Sequence, residues 1–136
     1  MAIFQRYSKN PILTPNKDNW WESKAVFNCS VSFDGQNVHM LYRAIGEYDH
    51  YISRIGYASS SDGFQFDRRH NIAILPTEDY EKNGMEDPRI TQIDGKIFVM
   101  IFKIQFTFGI LVTPDNKWVS INGSFNQISL AIHFTN

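Results

Sequence analysis

Shifted by about sixty residues, two parts of this chain superpose, and that internal repeat limits the possible folds more than any other feature. Phe33-Asp34-Gly35 falls on Ile93-Asp94-Gly95, and Met40-Leu41-Tyr42-Arg43 falls on Met100-Ile101-Phe102-Lys103. Each copy enters an apolar strand through an Asp-Gly turn and leaves it at a cation. A repeat of this period implies stacked, equivalent units that bury their faces against one another. Equivalent units point the same way, so Asn28 and Pro88, which superpose, should begin matching strands. Asp87 is then expected beside Asn28, around one common centre.

The units read as sheet. Eleven Phe, six Tyr and three Trp sit in short runs with β-branched residues, and helix signals are poor. Val38, Met40, Tyr42 and Ala44 alternate with His39, Leu41 and Arg43, as the two faces of a strand do. The run from Tyr51 to Ser59 puts Arg54 on the face of Ile52, Gly56 and Ala58. Ser61-Asp62-Gly63 then turns into the short aromatic strand Phe64-Gln65-Phe66. About four strands per copy make one blade of a β-propeller. The expected fold is all-β, a single partial β-propeller domain over 1–136. Blade-like repeats lie at about 24–83 and 84–125, and the tail 126–136 is unplaced.

The second copy is not a plain duplicate. Gly56 to Asp62 aligns with Gly109 to Asp115 at an offset of 53 rather than 60, so the connection after Lys103 is shorter than the one after Arg43. Arg54 falls on Thr107, and the polar pattern there is not repeated. Two blades cannot close a ring, and an open pair exposes apolar flanks and strand edges. The chain is therefore expected either to belong to a larger propeller or to form a homo-oligomer, and the first is favoured.

Charge and composition exclude several classes. A net charge of −1 gives no electrostatic footprint for nucleic acid or an anionic membrane. Cys29 stands alone, which rules out an internal disulfide and suits a reducing compartment. Met1 to Pro11 contains no apolar h-region, and no run is long enough to span a bilayer, so a soluble cytoplasmic protein is expected. His39, His50, His70 and His133 have no metal-ligand spacing, and no zinc site is expected.

Asp87 leads the candidates for chemistry. Pro88 holds its backbone away from helix, and an acid at the inner end of a strand can project into a central funnel. Neighbouring Glu86 is expected to raise its pKa where both are desolvated, which suits a general acid. The competing reading is a solvated Glu-Asp-Pro-Arg turn with a local ion pair. Arg43 and Arg54 lie within strands, where an unpaired cation is costly. They either bind sugar hydroxyls, carboxylate or phosphate, or pair with Glu47, Asp49 or Asp87. Asn28 is a polar residue in the apolar stretch Ala25 to Cys29 and must find partners, from backbone or a ligand. Trp20 and Trp21 read first as core packing, and second as a stacking platform for a sugar.

Taken in order, Asn10-Pro11-Ile12-Leu13-Thr14-Pro15, Glu22 to Asn28, Leu41-Tyr42-Arg43-Ala44, Tyr51 to Ala58 and Gly84 to Thr91 resemble the N-terminal part of glycoside hydrolase family 130. That family holds inverting β-mannoside phosphorylases, of glycosyltransferase class, and some mannosidases. The likeness is good over residues 4 to 103 and weak to about Trp118. It implies the first two blades of a five-bladed propeller with its site in the central funnel. It also implies that Asp87 is the general acid, protonating the glycosidic oxygen through the 3-hydroxyl of the bound mannose. Asn28, Arg43 and Arg54 would belong to the sugar-binding floor. No cofactor is implied. Inorganic phosphate is the co-substrate and a β-mannoside oligosaccharide the substrate, the product being α-mannose 1-phosphate.

Family members are about twice this length or more, with phosphate-binding Arg, Lys and His residues in later blades. Three functions follow from the resemblance. The first is a phosphorylase fragment carrying the acid and the sugar-binding half of the site. The second is a hydrolase of the same fold, and the third a non-catalytic truncated remnant.

Overall fold

The computed structural model describes residues 3–76 and 79–102, and the strand backbones at 107–112, 118–121 and 130–131. Two antiparallel meanders account for it. The first sheet runs in chain order through β1 (Ala25–Phe33), β2 (Val38–Ile45), β3 (Ser53–Ser60) and β4 (Asp67–Arg68). The second runs through β5 (Glu86–Ile93), β6 (Lys96–Phe102), β7 (Thr107–Val112) and β8 (Trp118–Ile121). The first is a four-stranded blade, and the second repeats that meander within a five-stranded sheet. In the tail, β9 (Leu130–Ala131) pairs with β6; the rest of 126–136 lies outside the described residues.

The apolar residues of β2 and β3 explain why the blades stack. Leu41, Ile55, Tyr57, Ile74 and Met85 form one buried cluster with Ile97, Val99 and Ile101 of β6. That cluster welds the two blades together. Met40, Tyr42, Ala44 and Ala58 face the other way and bury against Trp21, with Ile12, Leu13 and Ile72 packed around them. β2 is therefore buried on both faces, as the central strand of a stacked sheet must be. Its alternation separates two cores rather than core from solvent.

The ladders set the repeat at one residue less than the overlay on the Asp-Gly turns. In β1–β2, Phe27 pairs with Arg43 and Ser30 with Leu41, with a bulge between. In β5–β6, Glu86 pairs with Phe102 and Arg89 with Met100, again across a bulge. Asn28 thus corresponds to Asp87, 59 positions on, not to Pro88. Arg43 corresponds to Phe102, so the expected match of cations is lost; Lys103 lies outside the described residues. The displacement has a physical cause, because the two Asp-Gly pairs do different work. Asp34 opens its turn and accepts from the Gln36 and Asn37 N–H groups at 2.8 and 2.7 Å. Asp94 sits one place further in, with φ of 50° followed by Gly95 at 72°, a two-residue hairpin loop between Ile93 and Lys96.

Gly84 brings the second blade onto the first. Its φ is 117°, and a Cβ there would lie 2.9 Å from the Ser53 nitrogen. The next N–H, of Met85, donates to the Ser53 carbonyl at 3.0 Å. Only glycine allows that approach, which delivers Glu86 and Asp87 beside the end of β2.

Candidate functional site

The two bulges place their odd residues in the same conformation. Asn28 has φ of 49° and Asp87 of 45°, both in the left-handed region that non-glycine residues seldom enter. A bulge leaves its extra residue out of the ladder and re-aims the side chain. Here it aims both at one spot, where Asn28 Nδ2 donates to Asp87 Oδ1 at 2.8 Å. One further bond holds the inner strands together: the Ile90 N–H donates to Ser30 Oγ at 2.8 Å.

Arg43 completes the cluster from β2. Its Nη1 lies 3.2 Å from Asp87 Oδ1, its Nη2 2.6 Å from Glu86 Oε1, and its Nε donates to Ser53 Oγ at 2.8 Å. The guanidinium carbon lies 4.9 Å from the centroid of the Phe27 ring and 5.8 Å from that of the Tyr51 ring. An almost buried cation is thus engaged by two carboxylates and a hydroxyl.

The expected rise in the Asp87 pKa does not occur. Desolvation pushes it up, but the Asn28 amide and then Arg43, by hydrogen bond and by charge, outweigh that and hold it below the usual value. Glu86 cannot act as the repelling neighbour because Arg43 sits between the two carboxylates. In the free chain Asp87 is a carboxylate at neutral pH.

Arg54 stands apart from this cluster. It pairs in register with Ala44, whereas Arg43 pairs with Ile55, so the two arginines leave opposite faces of the first blade. Its Nη1 donates to the Ile52 carbonyl at 2.9 Å, and its Cζ lies 4.7 Å from the Trp20 ring. Burial lowers its pKa, with Glu47 opposing. No hydrogen bond or ion pair joins it to Asp87 among the described residues. The tryptophan pair also divides. Trp21 is buried and donates from Nε1 to the His70 carbonyl at 3.0 Å, while Trp20 is 65% exposed.

Three residues in and behind the site were not singled out from the sequence for the work they do. Ser53 and Glu86 anchor Arg43. Glu22, fully buried, accepts from Asn19 at 2.9 Å, from Tyr42 Oη at 2.8 Å and from Arg68 at 2.8 Å. The acid beside the apolar Trp21 was the available signal for Glu22, but an acid in a short turn reads equally well as solvated. No group of three or more His, Cys, Asp or Glu that could hold a metal ion occurs among the described residues. Nor is any helix among them long and apolar enough to cross a membrane.

Comparison with known proteins bears on what this cluster belongs to. The model of glycoside hydrolase family 130, described as beta-1,4-mannooligosaccharide phosphorylase, matches residues 4–106. The chain belongs to this family. Among curated members, a 1,2-beta-oligomannan phosphorylase of Thermoanaerobacter sp. (strain X514) is 42% identical over 105 residues, covering 74% of this chain and 36% of the relative. A beta-1,2-mannobiose phosphorylase of the same organism is 39% identical over 111 residues, covering 74% and 37%. The chain therefore spans a little over a third of the curated relatives it matches.

Solved structures agree. A putative glycosidase from Bacteroides thetaiotaomicron VPI-5482 superposes with a TM-score of 0.72 at 26% identity, over 87% of this chain and 41% of that one. A glycosyl hydrolase from Bacteroides ovatus gives 0.70 at 26% identity, over 86% and 40%. A structure described under the GH130 mannoside phosphorylases, with hydrolases that target beta-1,2 mannosidic linkages in Candida mannan, gives 0.68 at 26% identity, over 88% and 40%. The family 130 fold seen here is a partial β-propeller, two blades of the family's ring.

Proposed function

We propose that this chain supplies the general acid and the sugar-binding floor of an inverting β-mannoside phosphorylase. The complete enzyme would convert a β-mannoside and inorganic phosphate into α-mannose 1-phosphate and a saccharide shortened by one unit. The observation that carries this reading is the Asn28–Asp87–Arg43 cluster, built by matched bulges at the shared edge of two family 130 blades. Its chemistry suits a hexose, since one amide, one guanidinium and one carboxylate supply donors and an acceptor at close range.

In the proposed reaction a proton passes from Asp87 to the 3-hydroxyl of the bound mannose, whose own proton goes to the glycosidic oxygen. The C1–O bond breaks with its electron pair going to that oxygen. A phosphate oxygen bonds to C1 from the opposite face, so the configuration inverts. Asp87 must first take up a proton. A mannose closing over the carboxylate excludes water and strengthens desolvation, the one influence that already raises its pKa. Asn28 and Arg43 then position the sugar. Arg54 leaves the other face of the first blade, beside Trp20. Phosphate is held by the rest of the ring. The lone cysteine suits a cytoplasmic setting.

A chimera tests the assignment. Residues 4–106 of this chain would replace the matching segment of the Thermoanaerobacter 1,2-beta-oligomannan phosphorylase, and the product would be given β-1,2-mannobiose with and without phosphate. The expected result is α-mannose 1-phosphate only when phosphate is present, abolished by Asp87→Asn. Mannose released at equal rates in both conditions would establish hydrolysis in place of phosphorolysis. Turnover that survives Asp87→Asn would remove Asp87 from the acid role.

A further inference from the structure

One exposed aromatic feature lies beside the cluster. The connection between β2 and β3 carries Tyr48 and Tyr51, 60% and 45% exposed, with ring centroids 6.3 Å apart and an interplanar angle of 29°. Two large rings left side by side in solvent on a short connection form an apolar shelf. They are held there firmly. Glu47 accepts from the His50 N–H at 2.8 Å and from the Ile52 N–H at 3.1 Å, closing the loop on itself. Tyr48 Oη donates to the Lys24 carbonyl at 3.3 Å. Tyr51 has a φ of 56°, a conformation that an aromatic residue adopts only when its surroundings impose it.

The shelf adjoins the site through one residue. The Arg43 guanidinium that reaches Asp87 at 3.2 Å lies 5.8 Å from the Tyr51 ring centroid. We infer that Tyr51, backed by Tyr48, is the stacking platform for a second hexose ring, the unit linked to the mannose held at Asp87. The inference rests on the sugar-binding reading above and adds to it a second subsite with named residues. The match is chemical. A hexopyranose has an apolar C–H face and a polar edge, and here an aromatic shelf stands next to the donors and acceptors of Asn28, Arg43 and Asp87. Tyrosine suits the task because it offers a wide contact with few rotatable bonds to freeze. A left-handed backbone at Tyr51 turns the ring towards Arg43 at a local conformational cost, as strained residues at ligand clamps do.

Titration calorimetry of the full chain with methyl β-D-mannoside and with β-1,2-mannobiose tests it. Wild-type protein should bind the disaccharide about two- to ten-fold more tightly than the monosaccharide, the span expected of one stacked ring. Tyr51→Asn, which tolerates the positive φ, should bring that ratio to about one, and Tyr51→Phe should restore it. Circular dichroism checks that both variants fold. A ratio unchanged by Tyr51→Asn, or lost equally in Tyr51→Phe, would overturn the platform. So would a wild-type protein that binds both sugars alike, leaving the first subsite intact. Failure of the wild-type protein to bind either sugar would instead remove the sugar site itself, and the platform with it.

Discussion

The side-chain amide of Asn28 donates to Asp87 Oδ1 at 2.8 Å, and the two residues hold the same bulge position in successive blades. Their left-handed backbones, with φ of 49° and 45°, are a repeated cost that brings two polar groups from remote sequence to one point. An amide next to a carboxylate stabilises the charged form. Asn28→Asp would replace that donor with a second carboxylate on the same backbone, since aspartate also tolerates the conformation. The Asp87 pKa should then rise, as two close carboxylates cannot both ionise freely. Carboxyl-carbon NMR titration reads this directly. An unchanged midpoint would show that the two side chains do not meet in solution.

Arg43 is a bridge whose shape matters as much as its charge. Three of its nitrogens reach three different groups, Ser53 Oγ at 2.8 Å, Glu86 Oε1 at 2.6 Å and Asp87 Oδ1 at 3.2 Å. A lysine ammonium at that position cannot span them. Arg43→Lys should cost about 1–3 kcal/mol in urea denaturation, because at least one half-buried acceptor loses its charged donor. It should also raise the Asp87 midpoint, by weakening one of the influences that lower it. Wild-type stability together with a wild-type midpoint would contradict the bridging geometry.

The repeat made the two-blade fold legible, because apolar strands spaced by turn signals have few other ways to bury both faces. Asn28 and Asp87 could be brought together for the same reason. The exact register could not be read, since Asp34 and Asp94 look alike in sequence while occupying different places in their turns. The faces of the arginines were also hidden. Arg43 and Arg54 are both strand cations, and only the β2–β3 register, with Arg43 opposite Ile55 and Arg54 opposite Ala44, separates them. Glu86 misled for a related reason. Adjacent acids suggest repulsion, but a cation from a strand more than forty residues earlier intervenes.

Glu22 shows how much of the site's support lies in one buried acid. It is fully buried against the second core, bonded to Tyr42 Oη and Arg68 at 2.8 Å each. Burial first, and then the hydrogen bond to Glu22, push the Tyr42 pKa well above its usual value. Glu22→Ala removes one partner of a buried ion pair and leaves the Arg68 guanidinium without its carboxylate. The expected loss is about 3–5 kcal/mol, read as a lowered urea midpoint at unchanged slope. Such a loss is a large share of the stability of a domain this size. Glu22→Gln keeps the shape and part of the hydrogen bonding, so it should cost less. A loss in Glu22→Gln equal to that in Glu22→Ala would mean that the carboxylate charge accounts for the whole effect, and no loss in Glu22→Gln would mean that the charge contributes nothing at this position.

Asp34 makes a pH-dependent prediction whose sign follows from its bonds. The Asn37 N–H, then His39 Nε2 at 2.8 Å, then the Gln36 N–H stabilise the carboxylate and hold its folded pKa far below the ordinary 3.8. A folded value below the unfolded one means that the contribution is fully present above the unfolded pKa. It is lost as the pH falls through the folded pKa. Asp34→Asn keeps an oxygen that can accept from both turn N–H groups but removes the charge facing His39. Wild-type protein should therefore exceed the variant in stability at pH 5, and the margin should shrink steadily from there towards pH 2. Urea denaturation of both proteins at pH 5, 4 and 2.5 gives the three points needed. A margin that does not shrink between pH 4 and 2.5 would refute the stabilised carboxylate at Asp34.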